Sequence, residues 1–302
     1  MRGVTGPAEE PRFVNAHTHA FQRALRDLPP SAGDFWSWRE AMLELAERQT
    51  PETVRQTYAA AYAEMLEAGY TAVGEFHYLG VNEAVAAAEA AAEVGMTLVL
   101  LLAAYARGGL PRFRQDSPAE YFAQVEFLQS GGLRVGLAPH SVRACPPNWL
   151  EHIGAYAERH DLVLHIHADE QPREIEECIA EHNLRPMELL AETGCLGPRT
   201  TIVHATHANE RELDLLAEAG GRICLCPTTE ADLGDGFFPA QALLDRAIPL
   251  CIGSDSNICI DPEEELREIE WVARRQALRR GIFAPDQLEA IGTTEGAAAL
   301  GL

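Results

Sequence analysis

Residues 162–180 read LVLHIHADEQPREIEECIA, and the order of side chains in this stretch decides the fold class. Residues 162–167 form a short apolar run of the length expected for a buried strand, and PREIEECIA then reads as a helix opened by a proline. At the junction stand His167, Asp169 and Glu170. The same design recurs elsewhere: FVNAHTH (13–19), TIVHATH (201–207) and PLCIGSD (249–255) each end an apolar run on a metal-ligand type of residue. Candidate strands at 12–17, 71–76, 97–103, 134–138, 162–167, 201–205, 222–227 and 249–255 alternate with helical patterns at 51–68, 82–94, 118–128, 148–160, 209–219 and 262–280. The pairs Thr50–Pro51, Ser117–Pro118 and Asp261–Pro262 place a capping side chain before a proline at the first helical position, and Gly69, Gly95 and Gly220 close other helices. Strands alternating with helices over this length predict a (β/α)₈ TIM-type barrel. No repeat, linker or low-complexity tract interrupts it, so residues 1–302 are expected to form a single domain.

Residues two apart on a strand share a face, so His17 and His19 can grip one ion together. Barrel active sites gather at the carboxyl ends of the strands. His167, His204 and Asp255 lie at such ends, and an open sheet would not bring first, fifth, sixth and eighth strands to one point. Imidazole nitrogens plus a carboxylate, with no thiolate nearby, suit Zn²⁺ or another borderline divalent ion in an open catalytic site. A lone strand-end histidine is more often structural, as is a lone HxH. Four ligand-bearing strand ends in one chain outweigh that reading. Glu170, three residues past His167, is expected to carry protons beside the ion; the competing reading is a capping carboxylate on the helix that follows. His165 reads as a supporting residue one step deeper than His167. His77 and His207 read as structural, and Cys224 and Cys226 as packing residues.

Composition narrows the function. A formal charge of −22 on 302 residues argues against nucleic acid and anionic membranes, which need a basic face. No apolar run approaches the roughly 20 residues of a membrane span, and the N-terminal stretch lacks the apolar middle of a secretory signal. Seven cysteines without a framework spacing fit a reducing cytoplasm. All 24 basic residues are arginines. The absence of lysine excludes Schiff-base chemistry, a P-loop and a two-metal site bridged by modified lysine, which favours one ion.

The strings NAHTHAFQRAL, FWSWREAM, EFHYLG, APHSVRA, HIHADEQ, HATH, CPTTEADLGDGFFP and GSDSN together resemble the N-formimino-L-glutamate deiminases of the amidohydrolase superfamily. The HxH, HxxE and strand-end aspartate are shared widely in that superfamily; FWSWRE, APHSVRA and CPTTEADLGDG are more particular. The resemblance spans nearly the whole chain. It implies hydrolysis of a formimino acid, a small acidic substrate, to the formyl acid and ammonia in histidine degradation. It implies His17, His19, His167 and Asp255 as ligands to one divalent ion, Zn²⁺ first, with Fe²⁺ or Mn²⁺ also accepted by such a set. Glu170 takes the proton-shuttle place, His204 that of a second catalytic group, and Asp255 also accepts a hydrogen bond from water. Gln22, Tyr78, His140 and Arg143 match substrate-binding places, and Arg39 of FWSWRE joins them. From the residues alone, the trio Phe35, Trp36 and Trp38 reads as core, though in a loop between strand one and its helix it could wall the pocket.

Two departures accompany the match. Family members carry a small β-sandwich built from sequence before and after the barrel, whereas only about a dozen residues here precede the first strand and the chain stops at GAAALGL. A barrel lacking that sandwich is therefore expected, with homodimer formation covering the face it would leave. Asn257 stands where the family commonly has histidine, and Gly80 ends a string that often continues with histidine. The readings that compete are a deaminase of a cyclic amidine of the guanine or cytosine type, and a metal-binding barrel without turnover.

Overall fold

Eight parallel strands follow one another in chain order around the sheet: β1 (Phe13–Thr18), β2 (Tyr70–His77), β3 (Thr97–Ala104), β4 (Val135–Pro139), β5 (Leu164–Ala168), β6 (Thr200–His204), β7 (Arg222–Leu225) and β8 (Leu250–Ile252). The computed structural model describes residues 13–26 and 35–302. Position 12, where the sequence reading starts the first strand, lies outside them. The ring closes between β8 and β1: Asp255 N–H donates to the His17 carbonyl at 3.1 Å, and His19 N–H donates to the Asp255 carbonyl at 2.9 Å. This approach needs Gly253, because a Cβ there would stand 2.6 Å from the His17 carbonyl oxygen and 2.8 Å from His17 Cβ. The architecture is the (β/α)₈ barrel that the alternating pattern predicts.

The helices lie between the strands: α1 (Phe35–Glu47), α2 (Pro51–Glu67), α3 (Val81–Val94), α4 (Pro118–Ser130), α5 (Pro147–His160), α6 (Pro172–His182), α7 (Pro186–Glu192), α8 (Glu210–Ala219), α9 (Pro227–Leu233), α10 (Ala240–Asp245), α11 (Pro262–Ala277), α12 (Pro285–Gly292) and α13 (Thr294–Leu300). The foreseen caps are in place. Thr50 accepts from Thr53 N–H and Ser117 from Glu120 N–H, while Asp261 accepts from both Glu263 and Glu264. Gly95 and Gly220 end α3 and α8 in the left-handed conformation.

Three expectations need correction. The seventh strand stops at Leu225 rather than 227, because Pro227 offers no N–H to the ladder and instead opens α9. The eighth stops at Ile252, and residues 253–255 pair with β1 as an irregular edge. The aromatic trio Phe35, Trp36 and Trp38 belongs to α1, not to a loop; Phe35, Met42 and Ala46 are its buried residues, on one stripe of the helix.

A large apolar core fills the space between sheet and helices, with Tyr58, Tyr62, Met65, Phe76 and Leu101 among its fully buried members. A smaller cluster of Ala16, Val203, Cys224, Cys226, Cys251 and Ala299 joins β1, β6, β7 and β8 to α13. His165 is drawn there rather than toward the strand ends: its Nε2 donates to the Ala299 carbonyl at 2.9 Å. Among the described residues no helix is long and apolar enough to cross a membrane.

Candidate metal centre and active site

The strand ends converge. Donor atoms of His17, His19, His167 and Asp255 all lie within 4.8 Å of one another, and all four side chains are buried. Asp255 Oδ1 is 3.4 Å from Nε2 of both His17 and His19, and the Nε2 atoms of His17 and His167 are 3.2 Å apart. Two of the rings are aimed by backbone acceptors. His19 Nδ1–H donates to the Phe76 carbonyl at 2.9 Å and His167 Nδ1–H to the His140 carbonyl at 3.1 Å. Each bond fixes the tautomer that turns the Nε2 lone pair inward, the usual support for a ligating histidine. Donors about 2.0–2.1 Å from a tetrahedral zinc lie roughly 3.3 Å apart, so the observed spacing and the N₃O donor set fit a divalent ion.

Electrostatics agree with that fit. Burial drives the His17 imidazole down to about 3 and lowers His19 and His167 as well, so all three rings are neutral and able to bind a cation. Burial acts to raise the Asp255 carboxyl, but the His17 hydrogen bond and the nearby His19 and His204 rings outweigh it and hold it below the usual carboxylate range.

Beside this group stand His204 and Glu170. His204 Nε2 lies 3.8 Å from Glu170 Oε1 and 3.8 Å from Asp255 Oδ2, and its Nδ1–H donates to Glu230 Oε1 at 3.2 Å. Burial opposes charge on this ring, yet Glu170, Glu230 and Asp255 push it up to about 10. Burial raises the Glu170 carboxyl to about 7, against the pull of His204 and Arg143. Glu170 is not a free capping carboxylate: its own N–H donates to Glu174 Oε2 at 3.2 Å, which fixes the turn that presents its side chain. Strain accumulates around the site. Asp169, His204, Ala205, Asp255 and Asn257 all adopt positive φ, at 57°, 74°, 53°, 41° and 61°. Such backbone is costly for non-glycine residues and clusters where side chains must be aimed.

A small cavity of about 40 Å³ opens on these groups, lined by His19, His167, His204, Asp255 and Glu170 on one side and by Gln22, Phe35, Trp38, Arg39, His140 and Arg143 on the other. Arg39, His140 and Arg143 also line an adjoining cavity of about 160 Å³ with Trp36, Tyr105, Arg107 and Arg173. Arg143 is mostly buried, with its ion-pair partners at the long distances of 3.8 Å (Glu170) and 3.5 Å (Glu174), and its Nε lacks a hydrogen bond. It is therefore not the exposed surface pair that is the commonest fate of an arginine. His140 stacks on His167 with ring centroids 4.8 Å apart. Gln22 donates to the Tyr78 hydroxyl at 2.9 Å. Tyr78 stands behind the cavity wall, packed on His19 and Phe113.

His77 donates through Nε2 to the Gly80 carbonyl at 3.0 Å and His207 to the Asp235 carbonyl at 2.7 Å, so both are tied into loops. Cys226 packs in the apolar cluster as expected, and its sulfur also lies within 4.8 Å of donor atoms of His204 and Asp255, because the end of β7 sits between β6 and β8. Cys224 stays a packing residue. Sequence reasoning missed Glu230, Glu174 and the part played by Asn257. Asn257 Nδ2 donates to the carbonyls of His19 and Asp255, both at 3.0 Å, while its Oδ1 accepts from Thr18 and Ser254. The glutamate in CPTTE was a legible signal, since a carboxylate within an apolar turn needs a partner; nothing local indicated that the partner is His204.

The profile of the Amidohydrolase family matches residues 10–302. The chain is 38% identical to the formimidoylglutamate deiminase of Pseudomonas aeruginosa over 98% of its own length and 71% of that protein. It superimposes on a crystal structure of an amidohydrolase from Brucella melitensis with a TM-score of 0.88 at 35% identity, covering 99% of this chain and 75% of that one. An adenosine deaminase from Xanthomonas campestris with bound zinc matches with a TM-score of 0.87 at 28% identity, covering 96% of this chain and 67% of that one.

Proposed function

The chain belongs to the amidohydrolase family and is a hydrolase of C–N bonds; from that premise we propose that it deiminates N-formimino-L-glutamate, taking up water and releasing N-formyl-L-glutamate and ammonia. The observation that carries this reading is the shared cavity: the His/Asp donor group and Glu170 open on the same space as Arg39 and Arg143. A linear amidine carrying two carboxylates needs cations close to the reacting carbon, and a guanidinium holds a carboxylate through paired hydrogen bonds. The match to a formimidoylglutamate deiminase supports the same substrate.

His17, His19, His167 and Asp255 would hold one divalent ion, Zn²⁺ in our reading, and the chemistry supplied by such an ion is a water acidified to a pKa of about 7. Glu170 passes the water's first proton to the imino nitrogen, then relays the remaining hydroxyl proton to the same nitrogen as the C–N bond breaks, so the nitrogen leaves as ammonia and the formyl C=O forms. His204, charged and held by Glu230, donates toward the developing tetrahedral centre. Arg143, with Arg39 and His140, binds a substrate carboxylate; Gln22, backed by Tyr78, adds a neutral hydrogen-bonding group. Trp38 and Phe35 close the wall and exclude water.

A second reading, deamination of a cyclic amidine, has the likeness to an adenosine deaminase in its favour. The two separate on Arg143. With zinc-loaded protein, ammonia release from N-formimino-L-glutamate is expected, and R143M should lower its kcat/KM by about 100-fold, the worth of a buried charged hydrogen bond, while leaving metal content intact. Turnover of a purine or pyrimidine amidine that survives R143M, with none of the formimino acid, would overturn the assignment. Zinc-loaded protein that releases ammonia from neither substrate would leave a metal-binding barrel without turnover.

A further inference from the structure

We infer, on the basis of the function proposed above, that Glu174 is a positioning residue: it holds Arg143 away from Glu170. The arginine then stays open to a substrate carboxylate, and the glutamate stays free to carry protons. Glu174 stands in the first turn of α6 and is fully buried. It lines neither of the two adjoining cavities. Its two oxygens face two different parts of the site. Oε2 accepts from the Glu170 N–H at 3.2 Å, and Oε1 stands 3.5 Å from Arg143 Nε. Glu170 Oε2 faces the same guanidinium, 3.8 Å from Nη2.

A guanidinium and a carboxylate close to about 2.7–2.9 Å when nothing opposes them, and a buried setting strengthens the attraction. Neither pair here is closed. Arg143 Nε and Glu174 Oε1 are both buried without a hydrogen-bond partner, and the guanidinium lies over the Trp36 ring, 5.8 Å from its centroid. The arginine is thus suspended between two carboxylates and bonded to neither. Were Glu174 uncharged, Glu170 would be the one carboxylate left within ion-pair reach of Arg143 among the described residues, and that pair would close. A single ion pair would then take up both the cation that the substrate needs and the carboxylate that the reaction needs. With its Nε turned to Glu174, Arg143 keeps Nη1 and Nη2 for the two parallel hydrogen bonds that a carboxylate accepts. The bond from the Glu170 N–H to Glu174 Oε2 has a separate role, support of the left-handed turn at Asp169 (φ 57°). A glutamine oxygen can fill that role as well, so the two are separable.

The test is a double-mutant cycle in ammonia release from N-formimino-L-glutamate by the zinc-loaded full-length protein. E174Q keeps the side-chain volume and an acceptor for the Glu170 N–H, and removes only the charge. It should raise KM and lower kcat, each by about 10-fold, with zinc content unchanged. In the R143M background no guanidinium can fall onto Glu170, so E174Q/R143M should have the kcat of R143M. A role confined to supporting the turn gives the opposite pattern, losses that multiply. Multiplying losses, or an E174Q protein with the wild-type KM and kcat, would overturn the inference. Should E174Q not fold, E174Q/R143M, which leaves neither charge of the pair buried alone, decides by the same comparison with R143M. A wild type that releases no ammonia from the formimino acid defeats the deiminase reading instead. Crystal structures of wild type and E174Q then decide the role of Glu174: an Arg143–Glu170 distance shortened to about 2.8 Å in the variant supports it, and an unchanged 3.8 Å sinks it.

Discussion

Glu170 and Asn257 show how single side chains divide the work of this site. Glu170 touches no donor of the main metal group within hydrogen-bond distance; it lies between His204 and Arg143 at 3.8 Å from each. Replacing it should therefore spare the metal and stop the chemistry. E170Q is expected to keep its zinc content while ammonia release falls by about 10²- to 10⁴-fold, the usual worth of a general acid–base group; lost zinc or near-normal turnover would refute that role. Asn257 is the opposite case. It does not line the cavity at the site, yet it donates to the carbonyls of His19 and Asp255, two of the candidate donors, and accepts from Thr18 and Ser254. N257A should lower zinc affinity by about 10- to 100-fold, as removal of ligand-supporting hydrogen bonds does, and should lower the melting temperature of the metal-free protein too. Asn257 is thus a fully bonded support.

At the scale of elements, α9 and α11 are joined by a carboxyl group that is expected to make stability depend on pH. Glu265 of α11 accepts from the Thr228 N–H and hydroxyl at the start of α9 and is fully buried. Burial pushes it from 4.5 up to about 8, against those hydrogen bonds. Between these two values the folded protein holds the proton and the unfolded chain has released it. Stability from this group therefore falls as pH rises through that window. Melting temperatures of the wild type should drop from pH 5 to pH 8 more steeply than those of E265Q, which cannot ionise. Parallel curves would show that Glu265 is ionised in the fold. The element boundaries tell a related story. Helices α2, α4 and α11 start where their capping residues predict, because a cap is a local bond over three residues. Helix α1 was unreadable for the converse reason: its aromatic start looks like a loop wall until residues 20–25 and Tyr78 supply a surface to pack on.

For the whole molecule, a charge of −22 surrounds a cavity lined by Arg39 and Arg143, into which the proposed function brings an anion. Long-range repulsion and short-range attraction by Arg39 and Arg143 act over different distances, and salt separates them. The Debye length falls from about 30 Å at 0.01 M to about 10 Å at 0.1 M, so added salt screens the molecular field before it reaches partly buried pairs. With the dianionic formimino acid, kcat/KM should rise over that range, because encounter is slowed by repulsion. A steady fall with salt would mean that the arginines dominate even at a distance.

Eight strands, the long helices between them other than α1, and the ligand-type residues at four strand ends were determined by the sequence itself, because periodicity, prolines and caps act over a few residues. The convergence of those ends was decided only by tertiary structure. Thr18 bonds to Asn257 across 239 positions of sequence, Asp255 reaches His17 only when β8 meets β1, and Glu230 finds His204 only when β7 lies beside β6. Barrel closure also places Cys226 against two of the donors and forces Asp255 and Asn257 into left-handed backbone. No local pattern encodes such contacts. They exist because a ring of strands has one closed geometry, and its packing outweighs what each residue would prefer alone.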